Sequence, residues 1–160
     1  MLRLIYAPDP VFSKVAEPVS CFDSQLGTEI DEMFRIMSES GAIGLGANMV
    51  GLLKQIVVID LKDGVSEPLA LINPQIISRS DKLVMMNEAS VSFPGIEAEI
   101  ERPESIKVEY QDKDAGKHSI DAEGMLARVI LHEMDYLQGK TFLDHLSKFK
   151  KSRLMKKFQK

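Results

Sequence analysis

The segment from Leu126 to Gly139 constrains this chain more than any other. Leu126, Val129, Ile130, Glu133 and Leu137 recur at helical spacing, so a carboxylate falls inside the apolar stripe of a helix expected from near Asp121 to near Gly139. Such a helix must be covered on its apolar side, and its acid must find a partner there or keep its proton. Gly139 is a natural C-terminal stop because it accepts left-handed backbone. Residues four apart share a helix face, so His132 and Tyr136 point at one small volume. Two histidines at that spacing, with a glutamate after the first, form a helical metal site in which the glutamate handles the proton of bound water. Here the second position is a tyrosine. Spacing alone therefore leaves two readings open: a core histidine beside a hydrogen-bonded buried acid, or an altered metal site.

The remainder of the chain sets the fold class. Ile30, Met33, Phe34 and Met37 mark an N-terminal helix over Leu26 to Ser38, with Asp23 or Ser24 as its cap. Ser40 to Gly46, with three glycines in six positions, reads as a loop. From Gln55 to about Gln111 the pattern is that of strands: Gln55–Leu61 and Leu69–Asn73 are rich in branched apolar residues. Ile96–Ile100 and Ile106–Tyr110 alternate apolar with charged side chains, as antiparallel strands with one wet face do. Gly116 marks a hairpin turn. Helix, strands, then helix is an α+β order.

At 160 residues and 44% hydrophobic, the chain suits one domain with a core of its own. Cys21 is the lone cysteine, which excludes an internal disulfide and paired-cysteine zinc sites; it is expected to be buried or half-buried. The N-terminus lacks a signal-peptide pattern, and no apolar run approaches the ~20 residues of a membrane span, so a soluble, cytoplasmic protein is expected. The net charge of −4 is uneven: residues 148–160 carry seven positive charges and no acid, leaving −11 on residues 1–147. We therefore read 1–147 as one domain and 148–160 as a basic helical tail, either solvated or drawn to a polyanion.

Three segments carry a resemblance to a known family. Ala42-Ile-Gly-Leu-Gly-Ala-Asn-Met-Val-Gly51, Glu88-Ala-Ser-Val-Ser-Phe-Pro-Gly95 and His132-Glu-Met-Asp-Tyr136 follow one another in the order of the three motifs of the peptide deformylases. Ala7-Pro-Asp-Pro10, Ile72-Asn-Pro74, Glu101-Arg-Pro103 and Gly124-Met-Leu-Ala-Arg128 add flanking signals, so the resemblance spans about the first 145 residues. It implies sheets packed around a central helix that carries the His-Glu motif. It also implies removal of the formyl group from the N-terminal methionine of nascent chains. The family's metal, usually iron, is held by one cysteine and two histidines.

Carried over by position, the resemblance makes His132, Ser90 and Tyr136 the metal-ligand positions, Glu133 the proton carrier, and Met49 with the Val91 backbone N–H the oxyanion positions. Ile43, Gly44, Met86, Glu88, Met125 and Val129 would line the methionine pocket and substrate groove, with Gly44 offering backbone hydrogen bonds to an extended peptide. Three of these positions depart from the family's pattern. A serine hydroxyl is a poor ligand beside a thiolate, a phenol ligates well only when deprotonated, and a thioether has no proton for an oxyanion. The expectation is a deformylase scaffold with formyl hydrolysis lost or strongly reduced and peptide N-terminus binding retained. The alternative is a hydrolase with a non-standard site holding iron, zinc or nickel. Formyl-methionyl peptides are the expected partners, with ribosome contact through the tail and neither DNA nor membrane involved.

Overall fold

A computed structural model describes residues 1–158. The first helix, α1 (Ser24–Ser40), is capped by Asp23, whose carboxylate accepts the Leu26 N–H. It stops at Gly41, which takes a φ of 76°. Two antiparallel sheets follow. One contains β1 (Gly44–Gly46), β2 (Ile56–Ile59), β3 (Leu69–Arg79), β6 (Ser105–Gln111) and β7 (Lys117–Glu123), in that spatial order. The other is a two-stranded ribbon of β4 (Leu83–Ala89) and β5 (Glu97–Pro103).

Between them lies α2 (Gly124–Leu137), which buries Ala127 through Glu133 together with Tyr136 and Leu137. Its apolar side packs on Val57, Ile59, Leu71 and Val108 of the larger sheet. Burial of these branched side chains is the main force holding the helix in place. Gly139 follows with a φ of 72°, and a Cβ there would stand 2.9 Å from the Ser13 carbonyl oxygen. The residue must therefore be glycine both for its backbone angle and for the strand of chain that passes against it.

Several boundaries differ from the sequence reading. Gly44–Gly46 is an edge strand, paired with Val57–Ile59, and not part of a loop. Here the glycines serve close approach: a Cβ on Gly44 would lie 2.6 Å from Val129 Cγ1. Helix α2 begins at Gly124 rather than near Asp121, because Lys117–Glu123 pairs along its whole length with β6. Strand β3 runs on to Arg79, past Pro74 and a register shift between Ile72 and Gln75. Cys21 is exposed, its thiol donating to Asp23 Oδ2, since it precedes α1 on the solvent side.

The basic tail forms α3 (Lys148–Met155), with Ser147 as its cap, and one further turn over Lys156–Phe158. Leu154, Met155 and Phe158 rest on the core while Lys148, Lys150, Arg153, Lys156 and Lys157 are exposed. Gln159 and Lys160, which also belong to the basic segment, lie outside the described residues. No helix among the described residues is long and apolar enough to cross a membrane.

Candidate active site

A cleft of about 460 Å³ opens between β1, the end of β4 and α2. Of the positions singled out in the sequence, Ile43, Gly44, Met49, Glu88, Ser90, Val91, Met125, Val129, His132 and Glu133 line it. Met125 stands at its mouth, 46% exposed. Met86 does not reach the cleft. It faces the same side as Glu88 but lies one residue pair further from the Ser90 turn, opposite Ile100, beyond the end of the cleft wall. Tyr136 lies behind the wall, fully buried.

His132 is aimed by an ion network. Its Nδ1 lies 2.7 Å from Glu88 Oε1. Glu88 also accepts Arg102 in a two-pronged pair, Nε to Oε2 at 2.6 Å and Nη2 to Oε1 at 2.9 Å, and Arg128 Nη1 at 2.7 Å. Burial by itself would raise the Glu88 carboxyl, but its bonds to His132, Arg102 and Arg128 outweigh burial and hold it well below the usual carboxylate range. An ionised Glu88 can only accept, so His132 carries a proton on Nδ1 and turns its Nε2 toward the cleft. Stacking on Phe142, with ring centres 5.4 Å apart, fixes the ring further. Beyond Arg102 the network continues through Asp135 to His145 near the surface.

The sequence reading missed the part played by the arginines. A usable signal was present: Arg128 interrupts a run of apolar residues in α2, and an arginine buried in that way requires a carboxylate. Which carboxylate it meets is set by the β4–β5 pairing, forty residues away in the chain, and that pairing is not local information.

Glu133 is only 4% exposed, and its Oε2 is buried without a hydrogen-bond partner. Its Oε1 is 4.0 Å from His132 Nε2. Loss of hydration pushes its carboxyl up to about 7, although His132 and the Gly46 backbone act the other way. Met49, in the turn Ala47–Val50, accepts the Gly46 N–H on its sulfur at 3.4 Å. The Tyr136 hydroxyl donates to Ser90 Oγ at 2.7 Å. Burial first, and then the nearby Glu133, raise the Tyr136 phenol well above its ordinary value, so it stays neutral.

The architecture defines a class: a hydrolase scaffold in which a helix presents a His-Glu pair at the floor of a cleft bounded by an edge strand. Comparison with known proteins narrows this. The family profile described as polypeptide deformylase matches residues 1–152, and the chain belongs to that family. It is 47% identical to a peptide deformylase-like protein of Rickettsia conorii, over 99% of this chain and 87% of the relative. It is 42% identical to a peptide deformylase of Brucella suis biovar 1, over 98% of this chain and 91% of the relative. The crystal structure of the Ehrlichia chaffeensis peptide deformylase in complex with actinonin superposes with a TM-score of 0.94 at 34% identity, covering 99% of this chain and 96% of that one.

Family members are metal-dependent, and a divalent ion would need a matching donor set in this cleft. Among the described residues no group of three or more His, Cys, Asp or Glu side chains is disposed to hold a metal. The positions that resemblance assigns as ligands comprise one imidazole, a neutral hydroxyl and a neutral phenol, and the last two are bonded to each other. Neutral oxygen donors of this kind compete poorly with thiolate and imidazole for a borderline ion. These residues do not fit the family's metal.

Proposed function

We propose that this chain is a peptide N-terminus-binding member of the deformylase family in which hydrolysis of the N-formyl group is lost or strongly reduced. The observation that carries the reading is the Tyr136–Ser90 hydrogen bond, which spends two implied ligand positions on each other. A second support is Met49, whose thioether offers no proton to an oxyanion where the family's pattern has a glutamine. With both oxyanion donation and the metal in question, little remains to accelerate attack on the formyl carbon.

The cleft itself is suited to a peptide. In this reading Ile43, Val91, Met125 and Val129 supply an apolar wall for a methionine side chain, and the backbone of Gly44 and Val91 pairs with an extended chain. Glu133 and His132 form the polar floor, and Glu88 acts by holding His132. The work would be cytoplasmic, on formyl-methionyl or methionyl ends of nascent chains. The exposed cations Lys148, Lys150, Arg153, Lys156 and Lys157 support a contact with ribosomal RNA.

The test is elemental analysis of protein purified without oxygen, with hydrolysis of formyl-Met-Ala-Ser assayed on the same sample. We expect less than a stoichiometric amount of metal and turnover at least roughly a hundredfold below a peptide deformylase assayed alongside. One equivalent of iron, zinc or nickel, with turnover abolished by chelation, would sink this reading in favour of a hydrolase with a non-standard centre.

A further inference from the structure

The two-stranded ribbon turns one face to the core and leaves the other uncovered. Its pairing sets Leu83 opposite Pro103, Met85 opposite Glu101, Asn87 opposite Glu99 and Ala89 opposite Glu97. Leu83 and Met85 are 51% and 52% exposed, and Glu97, Glu99 and Glu101 are exposed beside them. Among the described residues none of these three carboxylates has an ion-pair partner, although they line one face of β5 and repel one another. The tail carries the matching pattern. In α3, Phe149 is 74% exposed, and Arg153 holds its guanidinium 5.9 Å from the centre of that ring. Lys150, Lys156 and Lys157 flank the pair and are exposed. Of the described tail cations only Lys151 is ion-paired, with Asp144, so tail and ribbon do not meet within one chain.

The two surfaces also agree in reach. Helix α3 rises about 12 Å over its length. Glu97 to Glu101, in extended chain, spans about 14 Å. An aromatic ring framed by cations thus has, on the same sequence, an apolar strip bordered by acids. We propose that the outer face of the β4–β5 ribbon receives the α3 tail of a second copy of this chain. Phe149 rests on Leu83 and Met85, and the tail cations run along Glu97, Glu99 and Glu101. Because every copy carries both halves, two copies exchange tails reciprocally and the assembly closes as a dimer. A short helix on a ribbon buries little beside the roughly 1,200 Å² of the smaller stable interfaces. The dimer is therefore weak, and it depends on the contact being made twice. It occupies the same cations as a contact with ribosomal RNA, so assembly and RNA contact exclude each other.

Sedimentation equilibrium of the full chain tests the contact. A reversible dimer is expected in about 20 mM salt, with its dissociation constant raised at least about tenfold at about 500 mM, where exposed charges are screened. Glu99→Lys with Glu101→Lys should give a monomer in low salt, and so, separately, should Arg153→Glu with Lys157→Glu. All four side chains are exposed, so both variants should fold, which circular dichroism checks. Mixing the two variants should restore a dimer, because each then offers the other a tail and a ribbon of opposite charge. Phe149→Ala should weaken the native dimer by about tenfold. A native chain that stays monomeric in low salt overturns the proposal. So does a dimer that survives either charge reversal or is indifferent to Phe149→Ala, and so does a mixture of the two variants that remains monomeric.

Discussion

The Tyr136 hydroxyl and Ser90 Oγ are 2.7 Å apart and join α2 to the turn that follows β4. By the resemblance, those two positions would face a shared ion. Here they face each other, so the gap is closed by a neutral hydrogen bond between two side chains, one of which is completely buried.

That bond should be measurable as a coupling. Tyr136→Phe and Ser90→Ala should each lower stability, and a double-mutant cycle in urea should return an interaction of about 1 kcal/mol. A cycle that closes to zero would mean that the two hydroxyls are indifferent to each other.

Restoring a donor set should demand several changes together. Ser90→Cys or Tyr136→His alone should leave metal content and formyl-peptide turnover near the starting level. Ser90→Cys, Tyr136→His and Met49→Gln combined should take up a divalent ion and gain at least about a hundredfold in rate. Elemental analysis beside the hydrolysis assay reads both quantities. Equal turnover before and after the triple change would argue that the native residues already perform the chemistry.

Glu133 should make stability fall as pH rises. Burial lifts its folded-state carboxyl to about 7, above the ordinary value of 4.5. Below 4.5 both folded and unfolded chains hold the proton and the group is neutral in its effect. Between there and 7 the unfolded chain releases the proton while the folded chain keeps it, so folding becomes progressively less favourable, by roughly 3 kcal/mol in all. Above 7 the loss levels off. The difference between wild type and Glu133→Gln in urea unfolding, followed from pH 4 to pH 8, isolates this group; a flat difference would show that Glu133 ionises as freely folded as unfolded.

Arg102→Met should destabilise strongly, by roughly 3 kcal/mol or more, because it strips Glu88 of its two-pronged partner and leaves Asp135 short of a cation. Changing Lys82, itself exposed and paired with a half-buried Glu104, should cost less than about 1 kcal/mol. Thermal unfolding of the two variants side by side checks the contrast, and comparable losses would mean that burial does not govern these pairs.

Much of the fold was legible because its pattern is local. The spacing of Leu126 to Leu137 is enough to mark α2, and the alternation in Ile96–Ile100 and Ile106–Tyr110 is enough to mark β5 and β6. Strand β7 was partly read as helix because His118, Ser119 and Asp121 dilute its alternation, and only its pairing with β6 gives it an identity. The Gly44–Gly46 strand was hidden for a related reason: glycines signal freedom in a sequence, whereas here they signal closeness to Val129 and Glu133. In the site, the His132–Glu133 pair was visible from helical spacing. The function of Glu88 was not, since it was expected as a pocket wall and its arginine partners come from β5 and α2. The Tyr136–Ser90 bond was similarly out of reach, because it spans 46 residues.

The ion network around Glu88 has a consequence for how this chain can change. Glu88, Arg102 and Arg128 bury one another's charges, so replacing any one of them passes through an intermediate with a bare charge in the interior. Such a set is exchanged as a whole or left alone. Selection for folding is then sufficient to keep the His132 ring pointed into the cleft, across any stretch of descent in which the cleft turns nothing over.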